Sequence, residues 1–320
     1  MLLCGMDIGG TKCALSLGNA DDKGNVEITF KEKFATLPPY ETLEKFAEIL
    51  ESQGIKKKPD AIGISCGGPL DSKRGIIMSP PNLPGWDNIE AVKFFKDRFG
   101  IPVAIQNDAN ACAYAEYKFG SGRGYENVVF LTFGTGLGAG LILDGHLYSG
   151  TNDNAGECGH IRLEKDGPLG FGKHGSFEGF CSGGGIARLG KSMTKERLDK
   201  GEKVAFCSDE SGLENITAKL IADYAYDGDE FAKSIYAESG RRLGQGLSIL
   251  IDILNPEAII IGSIFTRSKE LLWDECKKVI DREALPLASK VCKVLKSELG
   301  ENIGDYAALS IAMKAMEETK

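Results

Sequence analysis

The residues best suited to chemistry in this chain gather at two glycine-rich bends. Asp7-Ile8-Gly9-Gly10-Thr11-Lys12 comes first, and Thr132-Phe133-Gly134-Thr135-Gly136 repeats its make-up further on. Glycine lets backbone N–H groups come close to an anion and point at it, while threonine and lysine add donors. One Gly-Gly-Thr bend on its own is more often a plain hairpin turn. Two of them, at the starts of successive halves, read as a pair of jaws on a polyphosphate. Neither fits the strand–GxxxxGK[ST]–helix phosphate loop or the GxGxxG dinucleotide pattern, because a strand-like run, not a helix, follows the glycines. Asp7 adds a constraint. A carboxylate beside a phosphate pocket repels a bare anion unless a divalent cation lies between them, so Mg²⁺ carried with a nucleotide and held through water is expected near Asp7.

The elements that must position these bends alternate in type. Leu2-Leu3-Cys4-Gly5-Met6 and Cys13-Ala14-Leu15-Ser16-Leu17 flank the first bend; Val128-Val129-Phe130-Leu131 and Ala139-Gly140-Leu141-Ile142-Leu143 flank the second. Apolar runs of that length bounded by glycine read as buried strands. Val26 to Phe30 alternates as a third antiparallel strand. Glu41 to Gln53 is amphipathic, with Leu43, Phe46, Ala47 and Leu50 on one face and Gly54 as its stop. Ala61 to Ser65 is a strand ending in Cys66-Gly67-Gly68-Pro69, and Asn88 to Phe99 is a second amphipathic helix. Pro102 to Gln106 is a strand that runs into Asn107-Asp108-Ala109-Asn110 and an alanine-rich helix reaching Lys118. The order β-β-β-α-β-α-β-α then restarts at Val128. Such a repeat predicts an α/β protein of the actin-like, ribonuclease H-like ATPase fold, in which two related lobes close on a nucleotide. The expected lobes are 1–118 with a C-terminal helix over 305–320, and 119–304 with helical additions. Those additions are a helix near Ala187–Leu198, a polar loop over Gly201–Gly212, and Ile216 to Leu254 as one or two helices broken near Tyr226-Asp227-Gly228. Ala258 to Gly262 is one further buried strand.

Composition narrows the function classes. With 42% apolar residues the 320-residue chain can fill packed cores. A formal charge of −8 and a pI near 5.2 oppose a phosphate-backbone binder, which needs concentrated basic surface. Lys56-Lys57-Lys58 reads as a short solvated loop. No apolar run reaches the roughly 18 residues needed to span a bilayer, and Met1 leads directly into a strand. The nine cysteines are scattered, mostly within apolar runs, as buried free thiols are in a reducing compartment. A cytoplasmic protein is therefore expected, with no nucleic-acid or membrane partner.

Six segments occur in order: Asp7-Ile8-Gly9-Gly10-Thr11-Lys12, Gly68-Pro69-Leu70-Asp71, Pro81-Asn82-Leu83-Pro84-Gly85-Trp86, Asn107-Asp108-Ala109-Asn110, Thr132-Phe133-Gly134-Thr135-Gly136 and Ala155-Gly156-Glu157-Cys158-Gly159-His160. With them the chain resembles the ROK family (repressors, open reading frames, kinases) over essentially its whole length. The resemblance implies ATP-dependent phosphorylation of a hexose or N-acetylhexosamine bound between the lobes. Glucose ranks first, followed by N-acetylmannosamine, N-acetylglucosamine or fructose, and the enzyme would be a homodimer or higher homo-oligomer. It implies Asp108 as catalytic base, and Gly68, Asn82, Asn107, Glu157, His160 and Glu178 around the sugar. Gly9, Gly10, Thr11, Lys12, Gly134, Thr135, Gly136 and Gly262 would join Asp7 around ATP and Mg²⁺. Phosphoryl transfer suits this placement, since it asks mainly for positioned groups, neutralised charge and one carboxylate to accept the hydroxyl proton. Asp108 stands where a strand meets a helix N-terminus, which is expected to keep it ionised and aim it across a strand-end crevice. On the residues alone, Asn107-Asp108 reads equally as a helix cap, Asn82 as a turn residue between prolines, and Glu157 with His160 as a metal or surface pair.

Two departures stand out. The family usually follows its histidine with three zinc-binding cysteines, and those positions hold Leu169, Phe171 and Ser176 here. None supplies a thiolate, so no structural zinc is expected and packing and hydrogen bonds should orient His160. Cys158, His174 and Cys181 lack ligand-like spacing. Gly262-Ser263-Ile264-Phe265 replaces a turn that is usually glycine-rich beside adenine. A ROK repressor would need a winged-helix domain before the first hairpin, where six residues precede Asp7. A sugar sensor without catalysis would leave Asp108 idle.

Overall fold

In a computed structural model of the chain, residues 1–21, 24–52 and 58–319 are described. The order of elements begins β1 (Leu2–Ile8), β2 (Lys12–Ala20), β3 (Val26–Ala35), α1 (Pro39–Ser52) and β4 (Ala61–Cys66). A two-stranded flap of β5 (Leu70–Asp71) and β6 (Ile76–Ile77) follows, then α2 (Ala91–Phe99), β7 (Val103–Asn107) and α3 (Asp108–Phe119). The first sheet has the order β3-β2-β1-β4-β7, antiparallel from β3 to β1 and parallel from β1 to β7. β4 is buried at all six positions, which is why it reads as a nearly continuous run of apolar and small residues. β3 lies at the sheet edge and shows alternating exposure, with Glu27, Lys31 and Lys33 on its outer face. Leu43, Phe46 and Leu50 of α1 and Val92, Phe95 and Phe99 of α2 belong to the core beneath this sheet.

α2 starts three residues later than the sequence suggests. Asn88 adopts a left-handed φ of 55°, and Ile89 exchanges two 3.0 Å backbone hydrogen bonds with Ile77, so the flap claims residues that apolar periodicity gives to the helix. Gly100, at φ 65°, ends α2 by donating its N–H to the Lys96 carbonyl. The expected helix end at Gln53-Gly54 and the Lys56-Lys57 part of the basic loop lie outside the described residues.

The chain continues with β8 (Val128–Phe133), β9 (Leu137–Leu143), β10 (His146–Tyr148), β11 (Leu169–Gly170), β12 (Lys173–His174), α4 (Phe177–Phe180), α5 (Gly183–Asp199), α6 (Ala218–Tyr226) and α7 (Glu230–Leu254). It closes with β13 (Ala258–Ile261), α8 (Ile264–Glu283), α9 (Pro286–Val291), β14 (Lys293–Lys296) and α10 (Ile303–Glu317). The second sheet has the order β10-β9-β8-β13-β14. The expected break near Tyr226-Asp227-Gly228 falls between α6 and α7, where the Asp229 side chain caps α7 by accepting the Ala232 N–H.

Contacts divide the chain into two compact units: Met1–Phe130 with Gly140–Ala155 and Glu298–Lys320, and Leu131–Ala139 with Gly156–Ser297. In the first unit α10 is buried nearly all round, through Ala307, Ala308, Leu309, Ser310, Ile311 and Ala312. Glycines in two strands let it come close. A Cβ at Gly5 would stand 2.9 Å from Ala308 Cβ, and one at Gly63 would overlap the Ala308 carbonyl. In the second unit α8 approaches α7 over glycines in the same way, a Cβ at Gly244 falling 2.5 Å from the Cys276 carbonyl. All nine cysteines are free, seven of them buried. Among the described residues no helix is long and apolar enough to cross a membrane.

Candidate functional site

The first unit brings several of the singled-out residues to one sheet end. β1, β4 and β7 run parallel, with Asp7 paired to Ser65 and Cys66 paired to Asn107. Asp7, the Gly67-Gly68 turn and Asn107-Asp108 therefore follow neighbouring strand termini, the edge at which open α/β sheets bind ligands. The first bend is closed by Gly9 N–H donating to the Lys12 carbonyl at 3.1 Å. Thr36 steadies it: its hydroxyl donates to the Gly9 carbonyl at 2.6 Å, and its N–H to the Thr11 carbonyl at 3.1 Å. A Cβ at Gly10 would overlap the Asn82 carbonyl, and one at Gly67 would lie 3.3 Å from Asn82 Oδ1. Asn82 thus packs on both turns, and Gly10, Thr11, Lys12, Gly68 and Asn82 itself remain exposed.

Both carboxyls of this group are raised, and Asp108 contributes to the shift at Asp7. Burial pushes the Asp7 carboxyl up to about 7, with Asp108 and then Asp305 adding to it and Lys31 and Lys33 pulling it back. Asp305, near the start of α10, accepts the Ser16 hydroxyl at 2.8 Å and pairs with Lys31. Asp108 heads α3 and accepts the Ala109 N–H at 2.8 Å. Its side chain reaches solvent, yet the protein around it desolvates the charge enough to raise its carboxyl despite backbone N–H groups that favour ionisation. At Asp108 the N–H groups of the helix N-terminus and desolvation thus pull in opposite directions, and desolvation is the larger. Asn107 caps α3, its Oδ1 accepting the Asn110 N–H at 2.7 Å, which leaves its amide N–H groups for other partners.

The Asp7 shift makes a pH-dependent prediction. Between the ordinary carboxyl value of 3.8 and about 7, the native state holds a proton that the unfolded chain has released, so stability declines as pH rises through that window. Asp7→Asn should therefore stabilise the protein by roughly 2 kcal/mol at pH 8, after discounting for partial solvent contact, and by less at pH 5. Thermal melts of both proteins at the two pH values measure this; an equal gain at each would refute it.

The second unit gathers the other set. Gly134 N–H donates to the Gly136 carbonyl at 3.1 Å, and the Gly134 carbonyl accepts the Gly183 N–H at 2.7 Å, at the start of α5. Glu178 on α4 accepts the Leu137 N–H at 3.1 Å, and a Cβ at Gly136 would lie 2.8 Å from its carboxylate. A Cβ at Gly159 would overlap the Leu137 carbonyl and lie 3.3 Å from Glu178 Cβ, while the Gly156 carbonyl accepts the Ala139 N–H at 2.8 Å. The second bend, Glu178 and the Gly156–His160 segment are thus held together, with Thr135 exposed at the tip. Glu157 precedes a short 3-10 turn over Cys158–His160, and the His160 N–H donates to its carbonyl at 3.1 Å; both side chains face solvent. Gly262 donates to the Leu131 carbonyl at 3.0 Å. Ser263 after it sits at φ 52° and ψ −113°, a region suited to glycine and costing other residues about 1–3 kcal/mol. The departure from a glycine-rich turn thus carries a physical mark.

Where the cysteines are missing, ordinary contacts shape the loop. Phe177 N–H donates to the Ile161 carbonyl at 2.8 Å, Leu163 N–H to Gly175 at 2.8 Å, and the Arg162 guanidinium to His174 at 2.7 Å. Ser176 caps α4 by accepting the Gly179 N–H at 3.1 Å. Phe171 sets its ring edge-on to His160, centroids 6.5 Å apart, and Lys173 donates to the His160 carbonyl at 2.8 Å. Thr36, Asp305 and Gly183 escaped the sequence reading. Gly183 alone had a visible signal, the Ser182-Gly183-Gly184-Gly185 run; Thr36 and Asp305 reach Gly9 and Asp7 only through the tertiary fold.

Glycine bends after the opening strands of two mixed sheets, with carboxylates at the strand ends, define the actin-like ATPase fold. Known proteins narrow this further. The sequence profile of the ROK family matches residues 3–315, and the chain belongs to that family. It is 33% identical over 313 residues to a glucokinase of Streptomyces coelicolor, covering 97% of each chain. It superposes with a TM-score of 0.74, at 32% identity, on the structure of a ROK family glucokinase from Streptomyces griseus in complex with glucose and AMPPNP, covering 98% of this chain and 100% of that one. A xylose repressor of Bacillus spizizenii is 28% identical over 79% of this chain and 61% of its own length.

Proposed function

We propose that the protein is an ATP-dependent sugar kinase that transfers the γ-phosphoryl group to a hydroxyl of a hexose, with glucose as the substrate. The observation that carries this reading is Asp108, a carboxyl raised by burial at the head of α3, electrostatically coupled to Asp7 at the same sheet end as the Gly9–Lys12 bend. A raised carboxyl is a better proton acceptor. The sugar oxygen forms its bond to the γ-phosphorus as the bond from that phosphorus to ADP breaks, and Asp108 takes the hydroxyl proton.

Gly10, Thr11 and Lys12, with Thr135 and Gly136, are assigned to the phosphates through backbone N–H, hydroxyl and ammonium donors, while Gly9, Gly134 and Gly262, whose N–H groups hold the local backbone, are assigned there for the close approach that glycine allows. A single carboxylate, Asp7, beside a phosphate-binding bend fits Mg²⁺, which takes one or two carboxylates with phosphate and water oxygens. The cation would neutralise charge on the phosphates. Gly68, Asn82, the Asn107 amide, Glu157, His160 and Glu178 are assigned to the sugar. One Glu178 oxygen holds the Leu137 N–H, which fixes the carboxylate and leaves Oε1 for a hydroxyl. An analogue lacking a recognised hydroxyl leaves such groups unpaired and is rejected. The glucokinase relatives support this reading.

We place the enzyme in the cytoplasm, as a homo-oligomer without structural zinc. Elemental analysis of the purified protein should find zinc well below one ion per chain; a stoichiometric content would contradict this. Hexoses and N-acetylhexosamines assayed with ATP–Mg²⁺ for ADP release test the function, with glucose expected to be fastest. N-acetylmannosamine or fructose in first place would reassign the substrate. Similarity to a xylose repressor supports a second reading, a sugar sensor, for which calorimetry would show sugar binding while no sugar yields ADP.

A further inference from the structure

The first unit contains a cavity of about 440 Å³ lined by none of the residues assigned to ATP or sugar. One wall is β7, which ends its sheet, so no strand of that sheet covers the outer edge. Lys73, Lys96 and Thr151 stand at the exposed rim, and Gln106 and Ser149 line the polar interior. The acidic lining groups are committed. Asp153 accepts both the N–H and the hydroxyl of Ser72, at 2.8 and 2.7 Å, and Glu318 pairs with Lys314. Among the described residues neither Lys73 nor Lys96 has an ion-pair partner. A chain of net charge −8 therefore carries here a pocket with spare positive charge.

The interior is built, not incidental. Gln106 is 5% exposed and donates to the Ser149 hydroxyl at 3.2 Å. Asn110, wholly buried, donates to Gln106 at 3.1 Å and to Ser149 at 3.4 Å, while its own Oδ1 finds no partner among the described residues. Clustered buried amides are costly unless their hydrogen bonds are used, and they mark places where polar recognition is retained. The volume lies in the range of small-molecule sites.

We propose that this cavity is a second binding site, for a small polyhydroxylated phosphate ester. Lys73 and Lys96 bind the phosphate as point charges, and Gln106, Ser149 and Thr151 meet the hydroxyls. The placement suits an effector. Gln106 directly precedes Asn107-Asp108, and the Ser149–Asp153 loop runs on into Gly156-Glu157, so a ligand held here rests on both segments that lead to groups assigned above.

Glucose 6-phosphate is the probe, titrated by calorimetry into the full chain, its K73E/K96E variant and its D108N variant. Both lysines are exposed, so K73E/K96E should fold, and K73A/K96A provides a milder form. Binding should weaken by at least about tenfold in K73E/K96E, weaken less in K73A/K96A, and persist in D108N. No measurable binding to the wild-type chain up to about 10 mM, or equal affinity in wild type and K73E/K96E, would overturn the proposal. Turnover is measured separately: absence of ADP release on every sugar would sink the kinase reading and leave this binding result standing.

Discussion

Asp108→Asn is expected to fold and bind sugar while losing about a thousandfold in kcat with little change in KM. The amide is nearly isosteric, and its carbonyl oxygen can still accept the Ala109 N–H that Asp108 Oδ1 holds at 2.8 Å. What it lacks is a site for the hydroxyl proton. Burial already disfavours the charge at Asp108, so a neutral replacement removes a destabilising term, and the variant should melt no lower than the wild type. Loss of turnover with retained stability would separate a chemical role from a structural one. Near-normal turnover would remove the base assignment.

Gly63→Ala is the substitution expected to damage the fold most. Its Cβ would overlap the Ala308 carbonyl and the Ala312 N–H and stand 2.7 Å from the Ile311 carbonyl carbon. These are backbone atoms of α10, so no rotamer change can make room. Either α10 lifts off β4 or the strand distorts, and overpacking against rigid backbone costs about 3 kcal/mol or more. For a chain of this size that corresponds to a fall in Tm of about 5 °C or more. A melt within a degree or two of wild type would show that α10 is less closely seated than described.

Much of the first unit is legible from residue pattern because its central strands are buried on both faces. β1 and β4 read directly as apolar runs, and the Tyr226-Asp227-Gly228 break was visible because glycine and aspartate interrupt a helical period. β14 escaped notice: Lys293-Val294-Leu295-Lys296 is an edge strand with only two apolar residues. The start of α2 was misplaced because a tertiary bridge from Ile89 to Ile77 overrides local periodicity. Site residues show the same divide. Both bends, Asp7 and Asp108 were visible by type and position. The packing of Asn82 on Gly10, the support from Thr36 and the Asp305–Lys31 pair join distant segments and have no local signal. The direction of the Asp108 shift has no local signal either, since desolvation belongs to the assembled protein and not to the helix that begins there.

The seating of α10 against β1 and β4 also bears on biosynthesis. A ribosome delivers both strands long before it reaches residues 303–317, so the emerging sheet lacks its central helix for most of translation. Contacts spanning that much sequence form slowly, and exposed apolar strands invite aggregation meanwhile. Nascent chains stalled before Ile303 should therefore be protease-sensitive throughout the first unit, becoming resistant once that last helix clears the exit tunnel.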